Sequence, residues 1–176
     1  MTENNNYLND KKIRSRMMFA SLYIAAFEIF KHTIIENVRY FFVDGFKDGK
    51  LIFSENYEKS VLDLHKNDFI ASIKWIKKMG AIDEKDMEFI KQVTDCRNEI
   101  VHNMDKFLLG YIEINSSQLF SIMLDLLGKV EKWWVLNVEI PTDVDFVNKK
   151  IDEENIISIN VFFIKYLKEL VSEFSE

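Results

Sequence analysis

Arg97, Asn98 and His102, within the run Arg97-Asn98-Glu99-Ile100-Val101-His102-Asn103, are the side chains best suited to chemistry in this chain. A guanidinium is a fixed cation with a planar fork of donors that matches the oxygens of a phosphate. An imidazole is the one side chain whose ordinary titration lies near neutrality, so His102 can take or give a proton there. RNA carries its own nucleophile, the 2′-hydroxyl beside the phosphate it attacks. A protein that cuts it has only to move protons and offset negative charge, and no metal is required. Asn98, one helical turn before His102, is placed to orient the imidazole or to hold the phosphate. Arg followed by His five residues later also arises by chance in many helical proteins, and a lone His on a helix more often faces solvent or a structural partner.

The helix that must carry these residues has a clear start. Asp83 is a good N-cap with Asp86 three residues on, and Glu84 sits at the positive end of the dipole. At about 100° per residue, Phe89, Val93, Cys96 and Ile100 share a narrow arc that faces the core. Asn98 and His102 lie on the far side, Arg97 between the two faces. Ile90, Thr94 and Val101 fill the arc from Arg97 round to His102. They form a second, partly apolar patch that the chain's own core does not need. The simplest cover is the same helix of a second copy, because a two-fold axis makes such a patch self-complementary.

The rest of the chain reads as helices too. At 176 residues, 48% of them hydrophobic, one domain with a real core is expected, and five Gly with one Pro leave little material for a turn-rich sheet fold. Residues 1–9 read as a flexible polar N-terminus and 10–176 as a single domain. From Asp10 to about Val43 there is no breaker, and two apolar stripes recur. One holds Phe19, Tyr23, Phe27, Phe30, Ile34, Val38 and Phe41; the other holds Met18, Leu22, Ala25, Ile29, Tyr40 and Val43. A small hairpin is expected from Phe46 to Phe53 around Asp48-Gly49. A second helix is expected from about Lys59 to Met79 with Leu62, Phe69, Ile73 and Ile76 inward, ending at Gly80. Met104 to Asn115 admits a short extended piece. Ser116 or Ser117 is expected to cap a fourth helix through about Leu136, with Pro141 ending any continuation, and a fifth helix runs from about Asp152 to Phe174. The expected fold is therefore all-α, an up-and-down bundle of about five helices.

The motif and its setting resemble the HEPN domain family, over Asp83 to Asn103 in sequence and in the kind of helices that precede it. The form Arg-Asn-x-x-x-His of that family falls on Arg97, Asn98 and His102. The resemblance implies a bundle of four or more helices. It also implies ribonuclease activity in toxin–antitoxin or antiphage systems, homodimers in which two motifs face each other, and no cofactor. In some toxins of the family a Tyr two residues after the His is adenylylated by a partner nucleotidyltransferase antitoxin. Met104 stands there in this chain, so an antitoxin would have to act otherwise.

Composition bounds partners and place. The lone Cys96 has no disulfide or zinc partner and fits a reducing cytoplasm. The start lacks a signal-peptide pattern, and no uninterrupted apolar stretch approaches the roughly 20 residues that span a bilayer. Formal charge is −6, with 29 acidic and 23 basic residues, unlike a protein that coats nucleic acid. Two basic clusters, Lys11-Lys12 with Arg14 and Arg16, and Lys74 with Lys77 and Lys78, are left to steer RNA or simply to be solvated.

Glu28, His32 and Glu36 recur every four residues on the first helix. A metal site there lacks the second Glu-x-x-His of bundle di-metal proteins, and a better use is for Glu28 or Glu36 to orient Arg97 across the bundle. His65 reads as water-facing. Trp133 and Trp134 cannot share a face, so one belongs to the core and the other to an edge. No phosphate loop or nucleophile elbow is present. Beside the nuclease reading stands a binding one, a HEPN-like or unrelated bundle that takes a nucleotide or a partner protein through the same patch.

Overall fold

The computed structural model describes residues 10–112, 115–146 and 149–173; residues 1–9, read above as a flexible terminus, lie outside these. The described chain is helical apart from one hairpin. Helix α1 spans Asp10–Phe41. Strands β1 (Val43–Lys47) and β2 (Lys50–Phe53) pair antiparallel, and α2 (Glu55–Ser60) follows. Next come α3 (Asp68–Lys78), α4 (Glu84–His102) and α5 (Met104–Leu109). Helix α6 (Ser116–Trp134) leads through a π turn into α7 (Ile140–Thr142), and α8 (Ile159–Glu173) completes the set. Five of these, α1, α3, α4, α6 and α8, have eleven residues or more and build the bundle.

The hairpin turns where Asp48 and Gly49 both take positive φ, 51° and 77°, the backbone that a tight two-residue turn demands. The expected helix 59–79 divides. Ser54 caps α2 by accepting from the Asn56 N–H, and Asn67 restarts the helix by accepting from the Ile70 N–H at 3.1 Å. These side chains offer the backbone partners that a continuous helix would have to forgo. Val61, not Leu62, is the buried residue at the break. His65 is half-buried, and its Nδ1 accepts from the Asn67 N–H at 3.0 Å, which corrects its reading as a water-facing residue.

Four other boundaries differ from expectation. Met104–Leu109 is helical rather than extended, closed by Gly110 at φ 79°. Asn115, not Ser116 or Ser117, is the cap position of α6, and its side chain caps no N–H there. Pro141 opens α7 instead of stopping the chain, a place where its missing N–H costs nothing. The last helix begins at Ile159, its first turn held by Ser158, which accepts from the Val161 N–H at 2.9 Å.

The core is the meeting of α1, α3, α4, α6 and α8. Tyr23, Phe30, Ile34 and Val38 of α1 pack with Ile76, Val93, Ile100, Phe120, Leu127 and Ile164, all fully buried. Phe19, Tyr23 and Phe120 form one aromatic cluster with centroids about 6 Å apart. Phe69 meets Phe27 and Phe30 edge-on. The first of the two α1 stripes thus lies in the core as far as Val38. The second is only partly covered, since Leu22 is buried but Ala25 and Tyr40 are exposed. By length and composition alone α1 contains a window that would cross a bilayer, with mean hydropathy 1.3, which the reading above did not find. Part of that window, 39% of it, is buried inside the bundle. Trp134 is buried and Trp133 half-buried. On α8, Ile159, Phe162, Phe163 and Tyr166 are exposed along one face.

Candidate functional site

Helix α4 is fixed at its start and its middle. Asp83 accepts from the Asp86 N–H at 2.9 Å while Asp86 accepts from the Asp83 N–H at 2.8 Å, a reciprocal capping box. Lys129 of α6 reaches both carboxylates, at 2.5 Å to Asp86 and 3.8 Å to Asp83. The hydrogen bond from Asp86's backbone holds the Asp83 carboxyl below its ordinary range, and the Asp86 carboxylate raises the Lys129 ammonium above its own. One turn before Arg97, the buried Tyr23 hydroxyl donates to the Val93 carbonyl at 3.2 Å, tying α1 to α4. Burial pushes the Tyr23 phenol far above its usual value and also raises the Cys96 thiol, so neither is a nucleophile near neutral pH.

Arg97 is half-buried where α4 crosses α1. One Nη donates to Glu28 Oε1 at 2.8 Å and the other to Asn98 Oδ1 at 3.3 Å. The guanidinium carbon lies 5.6 Å from the centre of the Phe27 ring. Its Nε is buried without a hydrogen-bond partner. Glu28 is further approached by Lys31 at 3.9 Å. Glu36 does not serve Arg97; it pairs with Arg39 at 3.5 Å, two turns farther along α1 than Glu28. His102 is the last residue of α4, exposed, and its side chain makes no hydrogen bond among the described residues. Beside it, the Asn103 N–H donates to the Glu99 carbonyl at 3.0 Å and closes the helix, while its side-chain amide donates to the Glu99 carboxylate at 2.9 Å.

Within one chain the trio is therefore held in part. Arg97 and Asn98 touch; His102 stands about 7.5 Å farther along the axis and about 140° round it. The expected second patch is smaller than the sequence implied. Ile90 is 4% exposed and belongs to the chain's own core, because the helices packed on α4, α1 and α6 among them, cover more of it than its most apolar arc. Thr94 is half-buried, its hydroxyl donating to the Ile90 carbonyl at 2.7 Å, and Val101 is exposed. What remains open around the trio is Thr94, Asn98, Val101 and His102.

Sequence reasoning missed Phe27 as the seat of Arg97 and Tyr23 as the pin of α4. A signal for the first existed, since Phe27 immediately precedes Glu28, but pairing α1 with α4 needed the fold. Of the two basic clusters, Lys74 donates to the Leu64 carbonyl at 3.0 Å and Lys77 pairs with Glu84 at 2.5 Å, so that cluster is largely engaged within the chain. Glu28, His32 and Glu36 do not converge, and no group of three metal-ligating side chains is gathered among the described residues.

Comparison with protein-family models, with curated proteins and with solved structures found no match to this chain.

Proposed function

We propose that this chain is an all-α ribonuclease whose working groups are Arg97, Asn98 and His102, assembled across a homodimer. More particularly, we read it as a metal-independent endoribonuclease of the HEPN kind. The observation that carries the reading is Arg97. It is seated on Phe27, held by Glu28 at 2.8 Å, joined to Asn98, and carried on the same helix as a solvent-exposed His102. A guanidinium with fixed direction is what stabilisation of phosphoryl charge asks for, and an imidazole open to solvent can exchange protons.

The reaction follows from RNA itself. The 2′-oxygen bonds to phosphorus, His102 takes the 2′-hydroxyl proton, and Arg97 offsets charge on the non-bridging oxygens. The P–O5′ bond breaks as the second copy's His102, in its protonated form, gives a proton to the leaving oxygen. The products are a 2′,3′-cyclic phosphate and a 5′-hydroxyl. A cytoplasmic toxin or antiphage effector is the setting such an activity suits, with any antitoxin acting by a route other than modification at Met104.

Incubating the purified protein with RNA in excess chelator tests the proposal. Cyclic-phosphate ends are expected from the parent and none from Arg97→Ala or His102→Ala, with helical circular dichroism unchanged. Cleavage by both variants at the parent's rate refutes it. A second reading, a non-catalytic module that binds a nucleotide or partner protein, is favoured by two observations: Glu28 already meets the charge of Arg97, and His102 has no side chain orienting it among the described residues. That reading expects RNA or nucleotide binding with no new ends.

A further inference from the structure

We infer that the outer face of α8 is an interface on which a second copy of this chain docks, helix against helix and antiparallel. Helix α8 is apolar on two sides. Its inner side, with Ile164 fully buried and Val161 and Leu167 partly so, packs on α1 and α6. Asn160 fastens that side by donating to Thr33 Oγ1 at 3.3 Å and to Glu131 at 2.5 Å. At about 100° per residue, Ile159, Phe162, Phe163 and Tyr166 fall in one arc roughly 100° wide, turned away from Ile164. All four are between 48% and 77% exposed. Their spacing, i, i+3, i+4 and i+7, is that of residues in the seam between packed helices. No charged residue between Ile159 and Tyr166 falls within the arc.

Two observations choose the occupant. The first is area. With about 200 Å² for a whole aromatic side chain, the open parts of Phe162, Phe163 and Tyr166 come to roughly 330 Å². Ile159 is open to a greater degree still, as is Ile157, which shares a groove with Phe162. They bring the face to roughly 500 Å² or more, the upper end of the about 300–600 Å² that the largest apolar patch of a monomer reaches. Beside Phe163 the apolar surface continues through Leu167 into a groove lined by Met17, Met18 and Ala25 of α1. Together these approach the about 800 Å² that each partner gives to a stable interface.

The second is symmetry. The stripe reads alike from either end. A two-fold axis passing between positions 162 and 163 sets Phe162 against the second copy's Phe163 and Ile159 against its Tyr166, so the whole stripe is covered at once. This face is not the α4 patch that the nuclease proposal pairs, and a chain that used both would assemble beyond a dimer.

Mixed disulfides test the register. One preparation of the full chain carries Ile159→Cys and another Tyr166→Cys, each with Cys96→Ala. When the two are mixed under mild oxidation, the disulfide between positions 159 and 166 should form at least about tenfold faster than either preparation joins itself, because like positions lie about 10 Å apart along the axis. In sedimentation, the double variant Phe162→Gln with Tyr166→Gln should shift the parent to a smaller species. Its circular dichroism should be unchanged, since about half or more of each side chain is open in the single chain. Equal rates for like and unlike positions, or sedimentation unmoved by the double variant, overturn the inference. So does flotation with phospholipid vesicles that the double variant abolishes while no mixed disulfide forms, which would assign the face to a lipid surface. Neither measurement reads cleavage, so failure of the nuclease proposal leaves both intact.

Discussion

Glu28→Gln separates what the carboxylate does for folding from what it does for Arg97. The change keeps size and an acceptor oxygen and removes one charge. At the 2.8 Å contact, unit charges roughly 4 Å apart would attract by about 4 kcal/mol in an effective dielectric near 20. Both side chains keep solvent, however, with 27% of Arg97 and 46% of Glu28 exposed. Pairs of that kind net about 0.2–1 kcal/mol. For a chain of this length that is a fall in Tm of at most about 2–4 °C. Positioning is a different matter. If the nuclease proposal holds, a guanidinium free to swing off Phe27 should lower kcat about tenfold, or about 1.4 kcal/mol at the transition state, with KM little changed. The assays are thermal denaturation by circular dichroism and cleavage of a quenched fluorescent RNA in chelator, with Glu36→Gln alongside as a variant expected to match the parent. A Tm loss beyond about 10 °C would make Glu28 a structural residue, and unchanged kcat would remove it from the site; either result refutes the reasoning.

Phe120→Ala should cost about 3–5 kcal/mol, since the ring is fully buried between Phe19 and Tyr23, and chemical denaturation measures it. Tyr23→Phe removes only the hydroxyl that donates to Val93, so about 1 kcal/mol is expected by the same measurement, and a loss above about 3 would mean that the hydroxyl does more than that bond. Asp86→Ala deletes half of the capping box and the closer Lys129 partner, for about 1–2 kcal/mol. With pH the two ends of this network behave oppositely. The Asp83 carboxyl is lowered by folding, so its contribution is complete above its ordinary value near 3.8 and is lost as pH falls through the lower folded one. The Lys129 ammonium is raised, so its contribution is complete below about 10.5 and is lost as pH rises beyond it. Lys129→Met should therefore flatten the alkaline limb of a stability–pH curve; an unchanged limb would discard the pair as its cause.

Legibility in the sequence followed the range of the interactions. The start of α4 could be placed to the residue, because Asp83 and Asp86 satisfy each other's backbone locally, and its core face could be read because the 3.6-residue period of Val93, Cys96 and Ile100 is strong. The hairpin turn was legible for a like reason, since Asp48-Gly49 is chemistry confined to two residues. The break between α2 and α3 was not, although Asn67 is a good cap. The flanking apolar residues sustain a helical period straight across it, and the Asn67 cap together with burial of Val61 in place of Leu62 decides the matter. Ile90 was assigned to an outer patch because helical angle alone ranks it beside Arg97. How far the neighbouring helices wrap the flank of α4 is a fact of packing between residues far apart in sequence. Arg97 with Glu28 lay between these cases: the spacing on α1 nominated two carboxylates, and the crossing of the helices selected one.

The geometry of a single chain sharpens what the nuclease proposal requires. Arg97 points back against α1, while His102 stands exposed at the far end of α4, about 140° round the axis. A phosphate on one chain's Arg97 is thus better served by an imidazole from elsewhere, and a two-fold axis near Asn98 and Val101 would bring one. Without Ile90 the open patch on α4 is modest, and the exposed aromatic face of α8, with Phe162 and Phe163, is the more apolar surface. A homodimer built on α8, which packs on α1 and α6, would not be made through the open patch on α4 that the proposal needs paired. Placing a single cysteine at Val101 in one variant and at Phe163 in another, each with Cys96 replaced by Ala, distinguishes the two faces. Efficient disulfide cross-linking through position 101 at micromolar protein is what paired motifs demand. Cross-linking through 163 alone would leave Arg97 and His102 without the partner that their chemistry needs.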